Sequence, residues 1–570
     1  MLTMFGVESS GFPLSIGLFL LFLVLLYWKN TTMTQSLPVS QKCLSYSLPF
    51  ACFLSHSSGS KPHTAVANSR CGIRHPKPAP FLGNMMLFRD GFLQAQRDLI
   101  KQYGRVCGYY LARQAVVVIA DPDMLKQIMV KDFQKFPNRM FFKTASKPMS
   151  DSLVMLRDEQ WKRVRSILTP TFSTVKMKEM VPLIHEATET LLNNLKAYAK
   201  SGESFEIHRC FGCFTMDVIA SVAFGTHVDS QNNPNDPFVY HASKFFAFSF
   251  FRPIMFLFMA FPFLARPLSR LLRDKDSSEL SKFFTSCIQK LIRQRDELPP
   301  SQRRRDFLQL MLDVKTSKEC VSLEHFDVVN QADEQIVTEG NAENCHESAK
   351  PSQQKRIMTE DEIIGQAFIF FLAGYETSSN TLAFTCYLLA IHPDCQKKVQ
   401  KEVDDFFRRH DLVDYTNIQE LKYVDMVLCE TLRLYPPAFR YARTVEQDCV
   451  VNGQLLPKGA TVEIPAAFLH TDPDYWQDPE KFIPERFTPE AKASRHPFVY
   501  MPFGAGPRSC VGMRLAQLEI RIALVNIFKM FNVVACKDTE VPLALKSTTT
   551  LGPKNGIYVK ITKRENVNDV

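Results

Sequence analysis

Apolar and polar positions along the chain fall into a few distinct patterns. Gly11 to Trp28 is an almost unbroken apolar run, with Leu14, Ile16 and Leu18 to Leu26. As a helix rising about 1.5 Å per residue it nearly matches a hydrocarbon core of about 30 Å. No basic residue precedes it, Glu8 does, and Lys29 follows. That predicts a retained transmembrane anchor with a luminal N-terminus, not a cleaved signal peptide. Val106 to Ile119, rich in Val and Tyr with Arg113-Gln114 in the middle, predicts a β-hairpin. Asp121-Pro122 predicts a helix start carrying Met124, Ile128 and Met129. Gln366 to Thr381 is apolar nearly all round, so this helix is expected at the centre of the fold. Thr359, with Glu362 three residues on, predicts its capping box. Leu515, Leu518, Ile522 and Val525 recur at helical spacing and predict another helix.

Between these elements lie stretches of other kinds. Thr31 to Arg70 is Ser-rich, with a short apolar patch at Leu48 to Leu54; a linker, an interfacial segment and a misassigned exon remain open readings. His75-Pro76-Lys77-Pro78-Ala79-Pro80 is a stiff extended strap without N–H groups at its prolines. Phe245 to Phe263 carries nine phenylalanines and reads either as core or as a segment dipping into a bilayer. Ser317 to Arg356 is polar and predicts an exposed loop of low order.

Composition narrows the class. The chain has 570 residues and a formal charge of +9. With no dense basic stripe, that charge suits an anionic membrane face and not nucleic acid. The 15 cysteines form no regular framework, which points to a reducing compartment. Cys210-Phe211-Gly212-Cys213 has no second ligand pair, so it reads as a helix start and not a zinc site.

One cysteine stands apart. Phe503-Gly504-Ala505-Gly506-Pro507-Arg508-Ser509-Cys510-Val511-Gly512 sets Cys510 in a glycine-rich bend running into a helix. The helix dipole, nearby backbone N–H groups and Arg508 all favour thiolate. A buried thiolate of this kind suits haem iron. Gly506 and Gly512 would let backbone approach a flat cofactor, Phe503 would cover the sulfur side, and Arg508 would meet a haem propionate.

The ten-residue string resembles the haem-binding loop of the cytochrome P-450 family, Phe-x-x-Gly-x-Arg-x-Cys-x-Gly, at every fixed position. Four further motifs follow the family's order: Trp161 with Arg165, Ala373-Gly374-Tyr375-Glu376-Thr377, Glu430 with Arg433, and Pro484-Glu485-Arg486-Phe487. The resemblance implies a mainly α fold with small β-sheets and a haem-thiolate centre. It implies an anchor at 1–29, a linker or insert at 30–71, a catalytic domain at 72–563 interrupted by the polar loop 317–356, and a tail at 564–570. It also assigns roles. Cys510 would be the axial ligand of haem b, with Arg508, Phe503, Gly504, Gly512, Trp161, Arg165 and Arg443 around the cofactor. Gly374 would leave room for ligand, with Thr377 and Glu376 beside it. Glu430, Arg433 and Arg486 would form a buried structural triad.

Shorter phrases refine the resemblance: Gly72 to Pro78, Cys107 to Leu111, Phe136 to Met140, Pro437 to Arg440 and Gly552 to Gly556. They are similar to the branch of the family that rearranges prostaglandin H2 by O–O homolysis, which needs no dioxygen, NADPH or reductase. Thr377 departs from that branch, which is apolar there. It leaves open an NADPH-cytochrome-reductase-dependent monooxygenase of lipophilic substrates. Either reading implies an endoplasmic reticulum membrane protein with a cytosolic catalytic domain. A haem-binding protein without turnover is the third class, and no motif loss favours it.

Overall fold

The computed structural model describes residues 71–565, apart from 80–81, 113, 141–144, 234, 248–274, 317–319, 322–353 and 356. Residues from Thr64 onward form one unit, and the fold below is that unit's. The expected anchor Gly11–Trp28, the Ser-rich stretch and most of the Phe-rich stretch lie outside the described residues.

The first elements are helix α1 (Phe92–Tyr103) and the hairpin β1 (Val106–Leu111) and β2 (Gln114–Ile119), in the register Val106 opposite Ile119. The proline strap enters beside them: the Gly108 N–H donates to the Arg74 carbonyl, and the Asn84 amide donates to the Pro76 and Lys77 carbonyls. The helix Pro122–Lys126, capped by Asp121, runs into a π-helical turn at Gln127–Lys131.

A helical layer follows: α2 (Asp158–Leu168), α3 (Thr174–Ser201), α4 (Ile207–Phe224), α5 (Pro237–Phe246) and α6 (Lys275–Glu297). Their buried faces converge on α7 (Glu360–Ile391), the central helix. Thr359 and Glu362 close the expected capping box at its start, at 2.9 and 3.2 Å. An N-cap of this kind is worth about 1 kcal/mol. The contact of α4 with α7 is built on reciprocal small-large pairs. A Cβ on Gly212 would stand 3.1 Å from the Tyr375 ring, and one on Gly374 would stand 3.0 Å from Ile219. Among the described residues α4 is the helix long and apolar enough to cross a membrane, and 78% of it is buried inside the protein. The Cys210/Cys213 pair sits in its first two turns, as an ordinary helix start.

The polar stretch from Ser317 has structure at its edges. Cys320–Val321 pairs antiparallel with Gln354–Lys355, so the described ends of the expected irregular loop form a short ladder.

The remaining elements are α8 (Pro393–Phe407), α9 (Lys422–Leu434), β3 (Tyr441–Thr444), β4 (Thr461–Ile464), α10 (Met513–Met530), β5 (Phe531–Val534), β6 (Leu545–Ser547), β7 (Leu551–Pro553) and β8 (Tyr558–Lys563). The largest sheet has four strands in the order β1-β2-β4-β3, with β2 and β4 parallel. A second sheet joins β5, β8 and Phe205–Glu206. The architecture is therefore mainly α with small β-sheets, and the helical core cluster is separate from the cluster around β1–β4.

Candidate haem-thiolate site

The loop 503–512 is held from three sides. Gly504 and Gly506 have φ of +76° and +67°, which only glycine adopts without strain. Gly506 meets the π-helical turn so closely that a Cβ there would lie 2.1 Å from the Met129 carbonyl oxygen. This glycine serves loop packing, which corrects the expectation that it makes room for a flat cofactor. Gly512 does have space: a Cβ would meet nothing nearer than Phe172 at 4.0 Å. The Phe503 carbonyl accepts the Cys510 N–H at 2.9 Å, and the Phe503 side chain packs half-buried on the helical core. Gly512 is the N-cap of α10, so Cys510 does stand just ahead of a helix N-terminus.

Helix α2 supplies the second grip. Trp161 and Arg165 are both buried, at 1% and 6% exposure, which rules out a surface stack. Arg165 Nη1 donates to the Ser509 carbonyl at 3.0 Å. The Arg508 guanidinium lies 3.9 Å from the centre of the Trp161 ring. Arg508 also donates to the carbonyls of Pro137, Leu153 and Leu156, at 2.9, 3.4 and 3.0 Å. Arg508 thus ties the loop to the 137–156 segment, and it shares one arginine cluster with Arg139, Arg165 and Arg443.

The cysteine itself faces space. Cys510 has accessible surface, yet burial is the main influence on its thiol and pushes it up. The Gly512 N–H, Arg165 and Arg139 pull the other way without prevailing. An accessible side chain that is nonetheless desolvated lines an enclosed hollow, not the outer surface. Ala373 is likewise accessible in the middle of α7, beside the buried Leu372. Burial thus opposes the thiolate that the Gly512 N–H, Arg165 and Arg139 favour, and a bound metal ion deprotonates a coordinating thiol outright.

Around this hollow the charge is cationic. Burial, followed by neighbouring arginines, pushes the Arg443 guanidinium down to about 9 and Arg508 down to about 8. Burial lowers Arg139 too. Arg443 lies on β3, its Nη1 donating to its own strand at Ala442, and its buried Nε has no partner. Several arginines drawn together in low dielectric, one with an orphaned donor, fit a dianionic ligand. The two carboxylates of haem, with its iron over Cys510, suit this donor set. Among the described residues no cluster of His, Cys, Asp and Glu could hold a separate metal ion.

On α7 the expected residues divide. Thr377 is partly accessible, and its hydroxyl donates to the Ala373 carbonyl at 2.7 Å. Gly374 turns its bare face to Ile219, so its missing side chain serves helix packing and not ligand room. Glu376 turns away as well. It is 3% exposed, accepts from Asn380 and Thr550 at 3.4 Å each, and faces Lys546 at 3.7 Å. Those last two partners lie within the C-terminal hairpin β6–β7, so Glu376 ties α7 to that hairpin. Of the expected buried triad, Glu430 and Arg433 are fully buried and Arg486 is half-buried beside them. Arg433 Nε and Nη2 donate to Glu430 at 2.6 and 2.8 Å, and Arg486 Nε faces Glu430 at 3.4 Å.

Two residues were missed. Arg139 lies within electrostatic reach of Cys510, Tyr441 and Arg443, but no motif spacing marks it. Asn138, fully buried, bridges Asp158 and Glu446 at 2.7 and 2.8 Å beside Arg508.

The comparisons agree with this geometry. A family model described as Cytochrome P450 matches residues 73–340 and 341–561. Thromboxane-A synthase of Macaca fascicularis is 48% identical over 496 residues, 87% of this chain and 92% of that protein. Thromboxane-A synthase of Mus musculus is 48% identical over 497 residues, with the same coverage. Cytochrome P450 3A7 of Homo sapiens is 38% identical over 498 residues, again 87% and 92%. With its cysteine loop, buried arginines and helical core matched over most of its length, this chain belongs to the cytochrome P450 family, whose members hold haem iron through a cysteine thiolate.

Proposed function

We propose that the chain is a haem-thiolate isomerase that converts prostaglandin H2 to thromboxane A2, with a C17 hydroxy acid and malondialdehyde as the fragmentation products. The observation that carries this is the margin in similarity. Identity is 48% to the thromboxane-A synthases and 37–38% to the 3A cytochromes, over the same 87–88% of the chain.

In this reading Cys510 would hold the haem iron, and Arg443, Arg165, Arg139 and Arg508 would meet the propionates. Bound haem supplies the one-electron chemistry that opens the peroxide O–O bond and completes the rearrangement. The protein's part is orientation and exclusion of water. Ala373 offers an apolar surface, and the Thr377 proton is held on the Ala373 carbonyl at 2.7 Å. No proton needs delivery when the substrate already carries the peroxide. Gly11–Trp28 anchors the chain in the endoplasmic reticulum membrane, with 72–563 as the cytosolic catalytic domain.

The second reading, a reductase-dependent monooxygenase of lipophilic substrates, is favoured by the Thr377 hydroxyl and by the 3A similarity. Thr377→Val in purified holoenzyme separates the two. Isomerisation of prostaglandin H2 within about twofold of the parent supports the proposal, since the hydroxyl only back-bonds its helix. Loss of that turnover in the variant alone contradicts the passive hydroxyl, and its absence from the parent contradicts the proposal.

A further inference from the structure

The first third of α7 grips the segment before α2. A Cβ on Gly365 would lie 2.7 Å from the Asp151 carbonyl carbon and 3.0 Å from the Pro148 oxygen, so helix and segment touch along their backbones. The next residue, Gln366, is fully buried. Its Oε1 accepts the Leu153 N–H at 2.6 Å, and its Nε2 donates to the Asp151 carbonyl at 2.7 Å. Nε2 also donates to Glu362 O of its own helix at 3.0 Å, which fixes the rotamer.

The same segment holds Arg508 from its other side. Arg508 donates to Leu153 O at 3.4 Å and Leu156 O at 3.0 Å. Leu153 thus gives its N–H to Gln366 and its C=O to Arg508. A peptide segment fixed through both groups transmits a displacement from one partner to the other, because in a dry interior neither bond can be exchanged for water. Arg508 is two residues from Cys510.

We propose that Gln366 is a positioning residue for the cysteine loop, acting through Asp151–Leu156 and Arg508. It sets how firmly Cys510 is presented to the iron. The inference rests on haem ligation by Cys510 and is independent of which reaction the haem carries out.

The test uses full-length holoprotein and two readouts that need no substrate: amide exchange of the 503–512 peptide, and the reduced CO complex. Gln366→Met keeps the volume and removes both polar contacts. The expected result is about tenfold faster exchange across 503–512 and partial conversion of the thiolate-type Soret band to the thiol type. Gln400→Met is the control, another buried glutamine that bonds instead to Phe531 O and Asn532. It should change neither readout. A parent-like Q366M, or a Q400M with the same signature, would overturn the proposal. If Q366M does not accumulate as holoprotein, native-state exchange of the parent decides. The Leu153 amide and the 503–512 amides should open together, with one denaturant dependence. A loop that opens independently of Leu153 overturns the proposal. A parent lacking the thiolate-type band would instead refute ligation by Cys510.

Discussion

Gly506 lies against Met129 with no room for a side chain: a Cβ would stand 2.1 Å from the Met129 carbonyl oxygen, at a φ of +67°. Gly512, in the same loop, has nothing within 4 Å but the edge of Phe172. Gly506→Ala should therefore displace the loop and sharply reduce haem retention, while Gly512→Ala should keep most of it. The ratio of haem to protein after purification checks both. Equal loss from the two would mean that the space beside Gly512 is filled by the cofactor, and not that Gly506 is special.

Arg433 and Glu430 form a fully buried bidentate pair. Arg433 also donates to the carbonyls of His470 and Pro479. Arg433→Leu leaves the Glu430 carboxylate buried without its main partner, which should cost on the order of 3–5 kcal/mol. Urea denaturation of the holoprotein reads this directly. A loss under about 1 kcal/mol would place the pair among weak surface contacts.

Glu519 on α10 is 4% exposed, and burial pushes its carboxyl up to about 8, with the Ser378 hydroxyl pulling slightly down. The folded chain thus holds this proton more tightly than the unfolded one, whose value is 4.5. Its contribution to stability is fully present below about pH 4.5 and is lost as pH rises through 8. Glu519→Gln should flatten the fall in stability across that window, by on the order of 3–5 kcal/mol. Urea midpoints from pH 5 to 9 check it, and an unchanged slope would show that the carboxyl is ionised in the fold.

The parts of this molecule that could be read from the chain are those whose chemistry is local. The Thr359–Glu362 box, the β1–β2 hairpin and the bend around Cys510 each declare themselves within about a dozen residues. The Glu430–Arg433 pair was legible for the same reason, being one helical turn apart. What went astray depended on direction around a helix. Gly374, Glu376 and Thr377 fall within four consecutive residues, and each residue turns the helix by about 100°. Gly374 meets Ile219, Glu376 meets the C-terminal hairpin, and the Thr377 side chain keeps accessible surface. No spacing rule says which face of an all-apolar helix meets which neighbour. The tether made by Arg508 was not legible for a related reason: its partners Pro137, Leu153 and Leu156 are more than 350 residues away in the chain. Arg139 and Gln366 were invisible because their importance lies wholly in such distant contacts.

The central claim is that this chain rearranges an endoperoxide without external electrons. The most direct measurement is turnover of prostaglandin H2 by purified full-length holoprotein with dioxygen, NADPH and reductase all left out. The account predicts formation of thromboxane A2, followed as its stable hydrolysis product, together with the C17 hydroxy acid and malondialdehyde. No turnover, in a preparation whose reduced CO complex shows the thiolate-type band, would contradict it and leave the reductase-dependent oxidation of lipophilic substrates as the activity of this site.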